Sequence, residues 1–203
     1  MLFLRNFLLV VFLTLLLSGC GLKPLPVKPS MQYTFTTWPK TSAFPEKAAT
    51  NKTLLVSMPI AAPGYQSSKM IYVTVPYELK AFADHRWVAP PADLLLPLLS
   101  NRLRTVGYFK AVVTAPFAGS TNYQLNTELL TLQQEFMRPE SSVRMAVEVT
   151  LVRTDTGAVV ANRVFEVTVP ANSNDPYGGV LAANTATHRL LDKIALFVVK
   201  HAR

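Results

Sequence analysis

The chain has 203 residues, half of them hydrophobic, with a formal net charge of +8 and a single cysteine. That length suffices for one ordinary domain with a real core, and one cysteine excludes a disulfide framework inside the chain. The Lys and Arg residues are scattered, with no run of four or more, so they read as a solvated basic face and exclude a nucleic-acid-binding tail.

In chain order, Arg5 supplies a positive start and Phe7 to Leu17 an unbroken apolar run, followed by Leu17-Ser18-Gly19-Cys20. Small residues closing an apolar run are the layout of an export signal. The run falls short of the roughly 20 apolar residues that a membrane-crossing helix needs. Leu-Ser-Gly-Cys resembles the bacterial lipobox. That resemblance implies loss of residues 1–19, a lipid on the Cys20 sulfur and a third acyl chain on the new amino terminus. Two or more chains anchor stably where one is marginal. Gly21, standing where an aspartate would imply inner-membrane retention, favours the outer membrane. Without Arg5 the mature chain keeps a charge of +7. Residues 20–31 then form the lipidated cysteine and a tether, because Pro24, Pro26 and Pro29 favour extended polyproline geometry. At about 3.1 Å per residue, Gly21 to Met31 spans roughly 30 Å.

Residues 32–203 read as a single domain. Gln32 to Phe35, Leu54 to Met58 and Met70 to Val75 are strand-prone, the last two stopped by Pro59 and Pro76. Ala62-Pro63-Gly64-Tyr65 has the composition of a loop. After the mixed passage Tyr77 to Pro91, a helix is expected over about 92–106. Pro90-Pro91 and Asp93 mark its start, Leu95, Leu98, Leu99, Leu103 and Val106 its apolar stripe, and Gly107 its end. Pro97 should kink it or shift its start. Tyr108 to Thr114 is a strand, and Asn122 to Phe136 a long strand with a bulge or bend. Ser142 to Arg153 and Ala158 to Val169 form a hairpin through Thr154-Asp155-Thr156-Gly157. Asp175 and Pro176 open a last helix over 176–201, with Val180, Ala183, Thr187, Leu190, Leu191, Ile194, Phe197 and Val198 along one stripe. The fold class is α/β, a mixed, largely antiparallel sheet packed with two main helices.

Met70-Ile71-Tyr72-Val73, Pro76-Tyr77-Glu78-Leu79, Arg86-Trp87-Val88 with Pro90-Pro91, and the leucine-rich helix running into Gly107-Tyr108-Phe109 resemble the ABC-type transport auxiliary lipoprotein family, which includes the paraquat-inducible lipoprotein C type. The 62–65 loop and Asp175-Pro176-Tyr177-Gly178-Gly179 are also similar, so the resemblance spans most of the mature chain. It implies a non-enzymatic accessory protein anchored at the periplasmic face of the outer membrane. Its partners would be an ABC permease, its ATPase and a protein with the mammalian-cell-entry domain, and its cargo phospholipid or another hydrophobic molecule. A homo-oligomer is compatible with the family. No catalytic residue is implied, and no cofactor beyond the lipid on Cys20.

Asp84-His85-Arg86-Trp87 is the one cluster of acid, imidazole, guanidinium and indole. The sequence has no nucleophile elbow and no free thiol, so a third reading, an anchored envelope hydrolase, would need a nucleophile and base that converge only in the fold, and Trp87 is expected to fill the core beneath the first helix. His188 and His201 lack ligand-spaced companions, so no metal site is expected. Tyr65, Met70, Arg86, Trp87, Phe136 and Met137 are the candidates for partner contacts or core anchors, with Tyr65 and Met70 expected as exposed loop residues. A second function, a periplasmic carrier holding lipid in a groove beside the last helix, would require such a groove.

Overall fold

The computed structural model describes residues 3, 29–36 and 49–202. Cys20, the signal apart from residue 3 and the tether up to residue 28 lie outside the described residues.

The long strand β7 (Tyr123–Glu135) is the spine of the sheet. Its first half alternates strictly, burying Tyr123, Leu125, Thr127 and Leu129, as a strand with one covered face must. One edge pairs antiparallel with β8 (Ser142–Arg153), with a bulge between Leu129 and Thr131, and β8 pairs antiparallel with β9 (Val159–Pro170). The expected hairpin is there, with Gly157 at φ +70° in its turn and Arg153 N–H bonded to the Ala158 carbonyl at 2.9 Å. Val143, Met145, Val147, Val149 and Leu151 are all buried, as are Phe165, Val167 and Val169, whereas Val159 and Val164 of β9 are exposed.

The other edge of β7 carries three short parallel strands in succession: β2 (Thr53–Val56), β3 (Ile60–Ala61) and β4 (Lys69–Val73). Prolines explain why they are short. Pro59 separates β2 from β3, and Pro63 and Pro76 follow β3 and β4; a proline cannot donate to the ladder. β4 pairs antiparallel with β5 (Lys80–Trp87), β5 parallel with β1 (Met31–Tyr33), and β2 parallel with β6 (Ala111–Thr114). The sheet is mixed, with its long ladders antiparallel and its parallel ladders short.

Helix α1 (Pro91–Thr105) buries Leu95, Leu98, Leu99 and Leu103. It runs through Pro97 and stops where Gly107, at φ +68°, donates to the Arg104 carbonyl, a left-handed cap that suits glycine. Helix α2 (Pro176–His201) starts at Asp175, whose carboxylate accepts from Gly178 N–H at 2.7 Å. Every residue of its expected stripe is buried. Leu95 and Leu99 of α1 and Leu190, Leu191 and Ile194 of α2 meet over Thr127, Met145 and Val147, so both helices cover one face of the sheet. A buried Arg102 reaches Asp192 at 2.6 Å and ties the helices together. The opposite face is polar, with Asn162 bonded to Glu148 and Thr150, and Arg144 to Glu135. No helix among the described residues is long and apolar enough to cross a membrane.

Candidate functional site

The passage from 80 to 87, which shows no strand periodicity, is strand β5 with a deep irregularity. Lys69 pairs with Arg86 and Ile71 with Ala81, so residues 82–85 stand opposite Met70 alone. Such bulges re-aim side chains. Here the bulge turns Phe82 toward Tyr72 of β4, ring centroids 4.5 Å apart, and Phe136 at the end of β7 closes the group at 6.0 Å from Tyr72 and 6.4 Å from Phe82. All three rings are half-buried. Tyr72 pairs with Gln134, whose amide donates to the Asp175 carbonyl at 3.1 Å. The aromatic group therefore lies on the helix-bearing side, beyond the first turn of α2, where no helix covers it.

His85 extends the group toward β1. Its ring stacks on Tyr33 at 5.8 Å and 6°, its Nδ1 is 3.0 Å from the Tyr33 hydroxyl, and Tyr177 of α2 lies 6.2 Å from Tyr33. At the other end, the β4–β5 loop leaves Val75, Tyr77 and Leu79 exposed, and Met137 is exposed beside Phe136. Tyr77 is fully exposed at φ +70°, a left-handed conformation that costs a non-glycine residue about 1–2 kcal/mol. Nothing in the local sequence points to Tyr72, Tyr77 or Phe82, because β4, β5 and β7 meet only in the fold.

The expected contact residues divide. Met70 is a correction: it is 4 % exposed on β4, a core residue and not part of an exposed loop. Trp87 is also 4 % exposed and packs on Phe35 at 4.7 Å. The cavity it lines is bounded by Gly179 and Ala183 of α2, so it sits beneath the last helix, where the first was expected. Residues 34–36 are fastened to α2 through Asn184, which accepts from Thr36 N–H at 2.8 Å, and through His188 Nε2, 2.9 Å from the Thr36 carbonyl. Arg86, Phe136 and Met137 remain at the surface or half-buried.

Tyr65 is half-buried on the polar face, and its hydroxyl donates to Gln133 Oε1 at 2.5 Å. Gln133 and Arg144 both donate to Glu135 Oε1, at 2.8 and 2.7 Å. Burial pushes the Tyr65 phenol above its ordinary pKa, and the Glu135 hydrogen bond raises that of Arg144. Tyr65 is thus a loop anchor. The imidazoles are engaged as well: His85 with a tyrosine hydroxyl, His188 and His201 with backbone carbonyls. Among the described residues no group of three His, Cys, Asp or Glu could hold a metal ion. The chemistry on offer at this surface is apolar and aromatic contact.

Comparison with solved structures places the fold. A protein from Xanthomonas campestris superposes with a TM-score of 0.78 at 20% identity, covering 85% of this chain and 97% of that one. A hypothetical protein from Chlamydia trachomatis superposes with a TM-score of 0.53 at 9% identity, covering 75% and 98%. Among curated proteins none matches the chain. The family model for the ABC-type transport auxiliary lipoprotein component matches residues 33–195, from the last residue of β1 to within two turns of the end of α2, and the chain belongs to that family.

Proposed function

We propose that the protein is a non-enzymatic, lipid-anchored docking component of its ABC transport system. In this reading residues 1–19 are removed, Cys20 carries the lipid at the periplasmic face of the outer membrane, residues 20–31 are the tether, and 32–203 fold as one domain. The domain binds a partner with the mammalian-cell-entry domain, which links it to the permease and ATPase, and the system moves phospholipid or other hydrophobic cargo between the membranes. Family membership supports the accessory role. The observation that carries docking is the uncovered aromatic face of Tyr72, Phe82 and Phe136, bordered by exposed Val75, Tyr77, Leu79 and Met137. Contiguous apolar surface of this kind marks interaction sites, and tyrosine and phenylalanine are enriched at interface cores.

The test is site-specific photo-crosslinking in intact envelopes from positions 77 and 137, with position 162 on the polar face as control and Cys20→Ala as the unanchored comparison. Recovery of a mammalian-cell-entry protein from 77 and 137, absent from 162 and reduced by Cys20→Ala, is the expected outcome. Crosslinks to that protein from 162 alone would place docking elsewhere, and none from any position would remove the docking role.

A further inference from the structure

A second surface lies at the opposite edge of the sheet, where β9 pairs with β8 and the C-terminal half of α2 runs beside it. Between them is an open groove of about 590 Å³, within the ~300–1,000 Å³ typical of small-molecule sites. Its floor is apolar: Phe165 and Phe197 meet edge to face at 5.5 Å, and exposed Leu196 flanks them. Its rim is cationic. The Arg163 guanidinium is 5.9 Å from each of the two ring centroids, held over aromatic faces that attract it. Lys193 and Lys200 line the helix side, seven residues and so about 10 Å apart, with Leu196 between them. The one acid in the lining, Glu166, faces Arg144 at 3.8 Å.

From this arrangement we infer that the groove binds an anionic phospholipid, its phosphate between Arg163 and the two lysines and the start of its acyl chain along Leu196 and the phenylalanine rings. The charge complementarity selects an anion; the apolar floor selects which kind. An acidic peptide would meet the cations but lay polar backbone against Leu196 and the phenylalanine rings, and a free phosphate would leave the floor bare. An amphiphile with its charge beside its tail satisfies both parts, and basic residues at such surfaces each add affinity for anionic lipid. The site is on β9 and α2, not on the β4–β5 face, so it stands or falls independently of partner docking.

The experiment is native mass spectrometry of the full lipidated chain in neutral detergent, titrated with phosphatidylglycerol, with phosphatidylcholine, and with inorganic phosphate or poly-glutamate as competitors. Phosphatidylglycerol should be retained about tenfold or more over phosphatidylcholine, and Arg163→Glu/Lys200→Glu should abolish that preference. Lys200→Glu alone, at an exposed position, should reduce it severalfold and serves if the double variant does not fold. Control Lys69→Glu, on β4, should leave it unchanged. Equal retention of the two lipids, or an unchanged preference in Lys200→Glu, would overturn the inference. Complete competition by millimolar phosphate would mark a simple anion site, and stronger binding of poly-glutamate than of lipid an acidic-peptide surface; either also overturns it.

Discussion

Gly179 lies in the first turns of α2, where replacing glycine by alanine ordinarily stabilises a helix by up to about 1 kcal/mol. Here the sign should reverse. A methyl at position 179 would collide with Oε1 of Gln134 and stand 2.8 Å from its Cδ. Gln134 is 3 % exposed, and its Nε2 donates to Ser141 Oγ at 3.0 Å and to the Asp175 carbonyl at 3.1 Å. To move aside, the amide must give up both bonds, at about 1 kcal/mol each. It adjoins the 20 Å³ cavity lined by Trp87, Met70 and Phe82, room for about one water. Against the helix-propensity gain, Gly179→Ala should therefore destabilise by about 1–2 kcal/mol. For a chain of this size that lowers the melting temperature by about 2–8 °C.

The decisive readout is a double-mutant cycle followed by thermal and urea unfolding. Gln134→Ala should itself destabilise, since it removes the two hydrogen bonds. In that background the added methyl at 179 has no amide to meet, and Gly179→Ala should become neutral or stabilising. If Gly179→Ala stabilises the wild-type chain, or costs the same in both backgrounds, the close approach of α2 to β7 through this glycine is refuted.

Three further outcomes follow from the core and caps. Trp87→Ala should cost about 3–5 kcal/mol in urea unfolding, the range for a large aromatic removed from a core; an unchanged midpoint with lost partner crosslinking would make Trp87 an interface anchor instead. Arg102→Met and Asp192→Ala should show a coupling of about 1 kcal/mol in a double-mutant cycle, below the range for fully buried pairs because Asp192 is 39 % exposed; no coupling would mean that the pair does not fasten α1 to α2. The Gly178 N–H holds the Asp175 carboxyl below its usual pKa, so its contribution is fully present above the unfolded-state value and is lost as pH falls through the folded one. Asp175→Asn, which keeps a capping oxygen without a titrating proton, should flatten the acid limb of stability against pH; an identical limb in the variant would assign the acid sensitivity to other groups.

The parts of the fold that the sequence makes legible are those specified by neighbours along the chain. The β8–β9 hairpin follows from period-two alternation around Thr154 to Gly157, and α2 from its stripe behind Asp175 and Pro176. β5 escapes because its bulge opposite Met70 breaks the alternation of Phe82, Asp84 and His85, and β3 because two residues carry no period. The start of β4 is legible at Met70, but its burial is not, because Met70 is covered by β5 and α2, which lie far from it in the chain. The aromatic face is invisible for a deeper reason. Tyr72, Phe82 and Phe136 meet only because β4 pairs in parallel with the far end of β7, and no local pattern encodes a parallel pairing between distant strands.

The basic groove raises the opposite question, since part of its charge has a local explanation. Lys200 and His201 lie in the last turn of α2, where cations offset the helix's negative end by a few tenths of a kcal/mol or more. His201 Nδ1 indeed reaches the Phe197 carbonyl at 2.7 Å. Arg163 has no such reason to be where it is: it comes from β9, is exposed, and leans over Phe165 and Phe197. The two roles therefore separate by residue. Lys200→Ala should lower both lipid retention and the stability of the last turn, whereas Arg163→Ala should lower retention with little effect on that turn, read by amide hydrogen exchange at residues 197–201. If Arg163→Ala frays the turn as much as Lys200→Ala and leaves retention unchanged, the cations of the groove serve the helix end alone.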